Sequence, residues 1–336
     1  MIRCIIQLCK VQQKSLNIGK QYTTKFWNIL QKNKKFSKKM EYIALSKTQI
    51  GILEELSDNW YKFLHPYDIS SKKGLALSSV YESLKDMVER CIILESHGRY
   101  KINFSNEIGW NFKRFNDAAK LYKLPKDMQS QVIQIKDRLH LFYGSNLMGF
   151  MIFGSAASFE IDNKSDIDFY ILLQKKNPKL DFLTTLTSEQ RKFHFIEHDL
   201  EEFDDAYNDG DDFILSLLKN NIILADHGHF LRYFFERDLP AVSIKIIHEN
   251  EQKIKRLSSK LDKMIFQDQP LVFEKTKEYI KLKCRIFLLR SNTVPKSNKE
   301  LMKLMREKYK KYHKAYETIT RKNAKDTYIE VSKEPI

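Results

Sequence analysis

Two aspartates and a Gly-Ser pair offer the plainest chemistry in this chain. An apolar run, Leu147 to Phe153, stops abruptly at Gly154-Ser155. After ten further residues, Asp166-Ile167-Asp168 opens a second apolar run that continues to Leu173. Side chains alternate along a strand, so Asp166 and Asp168 point to one face. Two carboxylates ~4 Å apart repel by ~4 kcal/mol at an effective dielectric near 20. A divalent cation or a shared proton relieves such a pair. Mg²⁺ suits it, because this ion takes few carboxylates and completes its shell with water and phosphate. Gly154 lets the backbone approach a ligand with no Cβ between them. Ser155 brings a hydroxyl to a helix start, where phosphate is attracted. Strand, Gly-Ser turn and D-x-D strand together read as a site for a metal and a nucleoside triphosphate.

The stretch resembles the DNA polymerase beta-like nucleotidyltransferase superfamily, in its small bacterial and archaeal branch, the minimal nucleotidyltransferases. That pattern is an apolar strand, Gly-Ser, a spacer, then Ser-Asp-x-Asp heading a second apolar strand. Ser165 completes it here, and the resemblance covers roughly residues 147–226. The spacer departs from the family. Many members carry an arginine and a further glycine there, whereas this chain has Ala156, Ala157, Ser158 and Phe159. The resemblance implies a Mg²⁺-dependent enzyme that moves an NMP group, AMP by preference, from an NTP to an acceptor. Asp166 and Asp168 would be catalytic and hold two Mg²⁺ ions, while Gly154, Ser155 and Ser165 would surround the nucleotide. A third carboxylate is implied on the next strand, in Lys192 to Phe203. Glu197 is the candidate, with Asp199 on the same strand face as the alternative. His194 and His198 read as ordinary strand residues, with a metal role as the alternative.

Composition excludes several classes. A content of 42% hydrophobic and 12% aromatic residues belongs to a packed protein, not a disordered one. No apolar run is long enough for a membrane helix. Cys4, Cys9, Cys91 and Cys284 are scattered without a C-x-x-C pair, as expected of reduced cytoplasmic thiols and not of a zinc site. The net charge of +15 is unevenly spread. Residues 1–40 hold ten Lys or Arg and no acid; residues 241–336 hold 24 basic and 12 acidic residues. Residues 41–240 hold 24 basic and 31 acidic residues. An acidic centre suits a cation site, and basic flanks favour a polyanionic partner.

The elements that must position these groups suggest an α+β chain in three parts: an N-terminal winged helix, a central mixed-sheet nucleotidyltransferase domain and a C-terminal helical domain. Residues 1–39 read as a basic extension, disordered or upstream of the used start, with a targeting segment as the alternative. Residues 40–105 read as a winged helix-turn-helix. Ser46 with Gln49, and Ser79 with Glu82, have capping-box spacing. Val80, Leu84, Met87 and Val88 mark one helical face. Ser96-His97-Gly98 separates two short strands. Members of the resembled branch often carry this module. Arg99 and Lys101 on the wing are its clear phosphate contacts. Its outward helical face (Ser78, Tyr81, Glu82, Lys85, Asp86, Glu89) carries three acids, which oppose duplex DNA. Protein contact is the equal alternative.

Residues 106–143 read as two connecting helices. Trp110, Phe112, Phe115, Ala118 and Leu121 lie on the first, and Pro125 opens the second. The nucleotidyltransferase domain is expected over 144–235, with a helix from Phe213, a strand at Ile222–Ala225 and a His227-Gly-His229 loop. The helical domain is expected over 236–325. Phe273, Ile280, Cys284, Phe287 and Leu288 share a face, and a Lys- and Tyr-rich helix runs from about Lys299 to Thr320. Arg306 and His313 form an R-x6-H pattern that resembles HEPN ribonuclease domains, although a plain basic helix explains it as well. The acceptor stays open: RNA on the basic helices, DNA through the wing, a small molecule, or a protein side chain as in toxin–antitoxin members. The alternative function is a winged-helix DNA- or protein-binding regulator with a vestigial nucleotidyltransferase domain.

Overall fold

The computed structural model describes residues 45–160, 166–176, 193–267 and 269–334. The 1–39 extension, Ser165, Cys4 and Cys9 lie outside the described residues. Helix α1 (Lys47–Asp58) starts at a reciprocal cap. The Gln49 N–H donates to Ser46 Oγ (3.2 Å), and the Ser46 N–H donates to Gln49 Oε1 (2.8 Å). These two bonds satisfy donors that a helix start leaves open. Helix α2 (Pro66–Lys73) begins on a proline, whose missing N–H costs nothing there, and ends at Gly74 in the left-handed region. Helix α3 (Leu77–Glu89) starts from Ala76 with no side-chain cap, so Ser79 and Glu82 lie inside the helix rather than at its entrance. It buries Val80, Leu84 and Met87 and exposes the polar face expected of it.

Strands β1 (Ile93–Ser96) and β2 (Arg99–Ile102) pair antiparallel. His97 and Gly98 both take positive φ (49° and 69°), the twist that suits a two-residue hairpin. Asn106 caps α4 (Glu107–Leu121), and α5 (Lys126–Tyr143) follows Pro125 and stops at Gly144. The buried side of α4 differs from expectation. Phe115 is half exposed, while Lys113, Asn116 and Asp117 are buried beside Trp110 and Phe112. The cause is a polar clamp on the sheet. Lys113 bonds Asp117 and Asn221 Oδ1, and Asp117 Oδ2 accepts the N–H of Ile223 (3.0 Å). A buried ion pair persists only when its polar atoms find such partners.

Four strands form the central sheet in the order β5-β4-β3-β6: β3 (Leu147–Phe153), β4 (Ile167–Leu173), β5 (Phe193–Asp199) and β6 (Asn221–Asp226). The strand β3 runs antiparallel to β4 and β6, and β4 runs parallel to β5, so the sheet is mixed. One face packs Phe150, Phe169 and Ile171 against Met128, Val132, Ile135 and Leu139 of α5. The other face carries Tyr170, which contacts Phe203 and Phe213. Those two rings belong to α7 (Leu200–Asn208) and α8 (Asp212–Lys219). A single turn, α6 (Gly154–Ala157), follows β3.

The described residues from Gly51 onward form one compact unit. Trp60 ties its first helices to the sheet. The indole donates to Leu218 O (2.9 Å) and packs on Phe235 of α9 (Phe230–Glu236) and on Phe104. The C-terminal helices are α10 (Ile244–Phe266), α11 (Val272–Arg290), α12 (Asn298–Lys308), α13 (Lys310–Thr318) and α14 (Ala324–Ser332). The helix expected over 299–320 is therefore two. The chain breaks at Tyr309 (φ −130°, ψ 54°), and Tyr309 and Tyr312 both close on Phe287. Helix α14 was not expected from its weak apolar pattern. Tyr328 and Val331 anchor it in the same core.

Candidate active site

Strand register builds the site. Phe153, the residue before Gly154, sits opposite Asp168, and Asp168 sits opposite His194 on the parallel neighbour. The chain must leave β3 beside the carboxylate, and Gly154 does so with φ +69°. A Cβ built on Gly154 would lie 2.5 Å from Asp168 Oδ2. The Gly-Ser turn and the second aspartate are thus in direct apposition, at a distance only a residue without a side chain permits. The turn is held from behind. Gly154 O accepts from Asn220 Nδ2 and from Ser158 Oγ (3.1 Å each), and the Glu160 N–H donates to Ser155 O (2.9 Å).

Asp166 and Asp168 remain partly open to solvent, at 39% and 29% of their side-chain surface. Burial pushes the Asp168 carboxyl above the usual carboxylate range; His194 draws it down, and the Asp166 charge adds to the rise. A partly buried carboxylate next to a like charge is a group that a cation stabilises.

His194 was read from the sequence as an ordinary strand residue, yet its ring bridges the pair. Nδ1 is 3.3 Å from Asp168 Oδ1, and Nε2 is 3.8 Å from Asp166 Oδ2. Alternation alone could have raised it as a candidate, since His194 shares a strand face with His198. Only the β4–β5 register, however, sets it opposite Asp168.

Glu197 is not brought to the aspartates. It pairs in register with Ile171, three residues further along and on the opposite sheet face. There it accepts a bond from Tyr143 OH at the end of α5 (2.5 Å). Asp199 is on that face as well and caps α7, its Oδ1 accepting the Glu202 N–H (3.0 Å) while Glu202 Oε2 accepts its own N–H (3.0 Å). That N-terminal hydrogen bonding holds the Asp199 carboxyl below its ordinary value.

Among the described residues, no three His, Cys, Asp or Glu side chains close into a metal cage. Mg²⁺ sites at phosphates use one or two carboxylates and take the remaining ligands from substrate and water. Asp166 and Asp168 fit that ion. In the His227-Gly-His229 loop, His227 Nε2 lies 3.2 Å from His140 Nδ1 of α5, apart from the aspartates in the fold.

The two wing residues part company. Arg99 is exposed. Lys101 is turned inward, with its side chain 7% exposed and Nζ 2.7 Å from Asp238 Oδ1. Its place on the inner face of a four-residue strand corrects the expectation that it meets phosphate.

No protein-family model matches this chain, and no curated protein sequence matches it. Among solved structures, a nucleotidyltransferase-like protein from Exiguobacterium sibiricum aligns with a TM-score of 0.35 and 8% identity, over 59% of this chain and 72% of that one. Spectinomycin adenyltransferase AAD(9) from Enterococcus faecialis, solved with ATP and spectinomycin, aligns with a TM-score of 0.35 and 14% identity, over 62% and 91%. Alignments at this level are too weak to assign a fold or a function, so the site stands on its own geometry. No described helix is long and apolar enough to cross a membrane.

Proposed function

We propose that this chain is a metal-dependent nucleotidyltransferase that moves an NMP group, AMP by preference, from a nucleoside triphosphate to a hydroxyl acceptor. The supporting observation is the 2.5 Å approach of a would-be Gly154 Cβ to Asp168 Oδ2, which makes the Gly-Ser turn and the D-x-D strand one site. Asp166 and Asp168 would hold Mg²⁺. The bound ions would neutralise charge on the departing pyrophosphate and activate the attacking oxygen. Gly154 lets the Asp168 carboxylate close on the turn, and Ser155 would bring a hydroxyl to the phosphate oxygens. Ser165, outside the described residues, would complete the nucleotide contacts. His194 orients both carboxylates from the neighbouring strand. In the transfer, the acceptor hydroxyl gives up its proton to solvent, its oxygen bonds to the α-phosphorus, and the bond from that phosphorus to the α–β bridging oxygen breaks, releasing pyrophosphate. With no spacer arginine, the triphosphate charge falls more heavily on the metal.

The helices and hairpin of residues 47–102 have the order of a winged helix-turn-helix. The exposed acids of α3 and the inward Lys101 favour a protein contact for this module over duplex DNA.

The test uses α-labelled NTPs, Mg²⁺ and total cellular RNA and protein. Label transfer that Asp166→Ala abolishes is the expected result. Absence of transfer to any fraction, together with specific duplex binding, would instead mean a regulator with a vestigial transferase domain.

A further inference from the structure

We propose that the groove between the end of α1, helix α2 and helices α12 and α13 binds a single-stranded polynucleotide. This groove has a volume of ≈ 780 Å³. Its walls carry six basic side chains, Lys62, Lys72, Lys296, Lys299, Lys303 and Arg306, against three acidic ones, Glu160, Glu300 and Glu317. Among the described residues, Lys62, Lys296 and Arg306 line the groove and make no ion pair. A lined excess of cations tracks a phosphate backbone.

Charge alone would also suit an acidic protein. The tyrosines decide between them. Tyr61 and Tyr316 both line the groove and are both partly buried. Each ring already carries ammonium groups. Lys219 and Lys62 lie 5.3 and 5.8 Å from the Tyr61 centroid, and Lys277 and Lys281 lie 5.0 and 5.2 Å from that of Tyr316. Aromatic rings set among cations are platforms for unpaired bases, which expose π-faces as acidic peptides do not. A duplex hides those faces in its stack, so the tyrosines select a single strand.

The groove is linked to the back of the Gly-Ser turn through Glu160. Glu160 and Lys296 line it and a second hollow of ≈ 250 Å³, which is bounded by Ala157 to Glu160, Lys113, Lys120 and Lys219. Glu160 is tied to Ser155 O through its N–H and lies 3.8 Å from Lys299 through its carboxylate. Arg306 and His313, singled out in the sequence as a motif, belong to two different helices and act here as parts of one wall.

The inference goes beyond the transfer chemistry and is tested apart from it. Full-length protein is titrated into fluorescent single-stranded RNA or DNA of about 16 nucleotides, and anisotropy is read at two salt concentrations. The triple variant Lys299→Glu, Lys303→Glu, Arg306→Glu should bind at least about tenfold more weakly and with a shallower salt dependence. Tyr316→Ala should lose about tenfold. Asp168→Asn should bind like the parent protein while failing in label transfer. Tight binding of either strand type supports the groove, and the comparison says which strand it prefers. Three results would overturn the proposal: a triple variant that binds like the parent, a duplex of equal length that binds as tightly, or polyglutamate that displaces the strand at equal charge. If strands bind and no label moves, the groove stands and the transferase reading falls. The reverse outcome separates them the other way.

Discussion

At the scale of residues, the site depends on one glycine and on which strand neighbours touch the aspartates. Alanine at Gly154 would hold a non-glycine residue at φ +69°, a strain of about 1–2 kcal/mol, and would push the Asp168 carboxylate from its place. Gly154→Ala is therefore expected to lower thermal stability modestly and to reduce nucleotide transfer by about a hundredfold or more, a loss that exceeds the strain alone. Fall of activity and melting temperature in the same proportion would argue against apposition as the cause. His194 and Glu197 make a sharper comparison. His194→Ala should reduce transfer strongly, because the ring bridges both aspartates. Glu197→Gln should leave transfer nearly intact, since the side chain bonds Tyr143 on the other face. The opposite ranking in a steady-state assay would remove His194 from the site. Both the D-x-D pair and the Gly-Ser turn were legible in the sequence, because alternation with period two puts Asp166 and Asp168 on one face wherever the strand lies. Alternation also puts Glu197 and His194 on opposite faces. Nothing local says which of those faces meets β4 at Asp168.

At the scale of elements, polar contacts between helices decide how the first part of the chain meets the sheet. Asp58, at the end of α1, pairs with Lys120 of α4 at 2.6 Å. Burial alone would raise its carboxyl, but the charge and hydrogen bond of Lys120, with Lys113 and Lys73 behind, hold it below the ordinary carboxylate value. A depressed folded pKa contributes stability that is fully present above the unfolded pKa and is lost as pH falls through the folded one. Asp58→Asn should therefore be less stable than the parent at neutral pH, and the difference should shrink as pH drops below about 4. Urea midpoints across that range measure it; a gap that widens in acid would contradict the pairing. Some helix ends were marked in the sequence. Ser46 with Gln49, and Pro125, each bound a helix through chemistry within a few residues, whereas Ser79 with Glu82 fell inside α3. The break at Tyr309 was not marked; there the ring packs on Phe287 of another helix, a contact no local pattern displays.

At the scale of the whole molecule, Trp60 is the joint between the first helices and the sheet. Its side chain is fully buried against Phe104 and Phe235 and donates to Leu218 O. Trp60→Ala should cost about 3–5 kcal/mol of unfolding free energy. Trp60→Phe keeps most of the packing and should lose about 1 kcal/mol through the lost indole hydrogen bond, since Leu218 O keeps its bond from Asn221 Nδ2. Denaturant titration followed by circular dichroism reads both; an alanine variant as stable as the parent would mean the helices of residues 51–104 do not depend on this contact. The charge distribution acts at the same scale. Basic C-terminal helices and the acidic sheet domain meet at the groove wall, where Lys299 faces Glu160 across 3.8 Å.

By itself the sequence determined what is local: strand and helix periodicity, the caps, the shared face of Asp166 and Asp168, and the sharp turn that demands Gly154. It also separated an acidic centre from basic flanks. The tertiary structure alone decided which residues become neighbours. It set His194 beside the aspartates and turned Glu197 to Tyr143, it drew Lys101 inward to Asp238, and it placed Arg306 and His313 on one wall from two helices. The physical reason is common to these cases. Alternation and capping act over a few residues, whereas register and inter-helix contact are fixed by groups tens to hundreds of positions apart, and a one-residue shift in strand pairing exchanges every face.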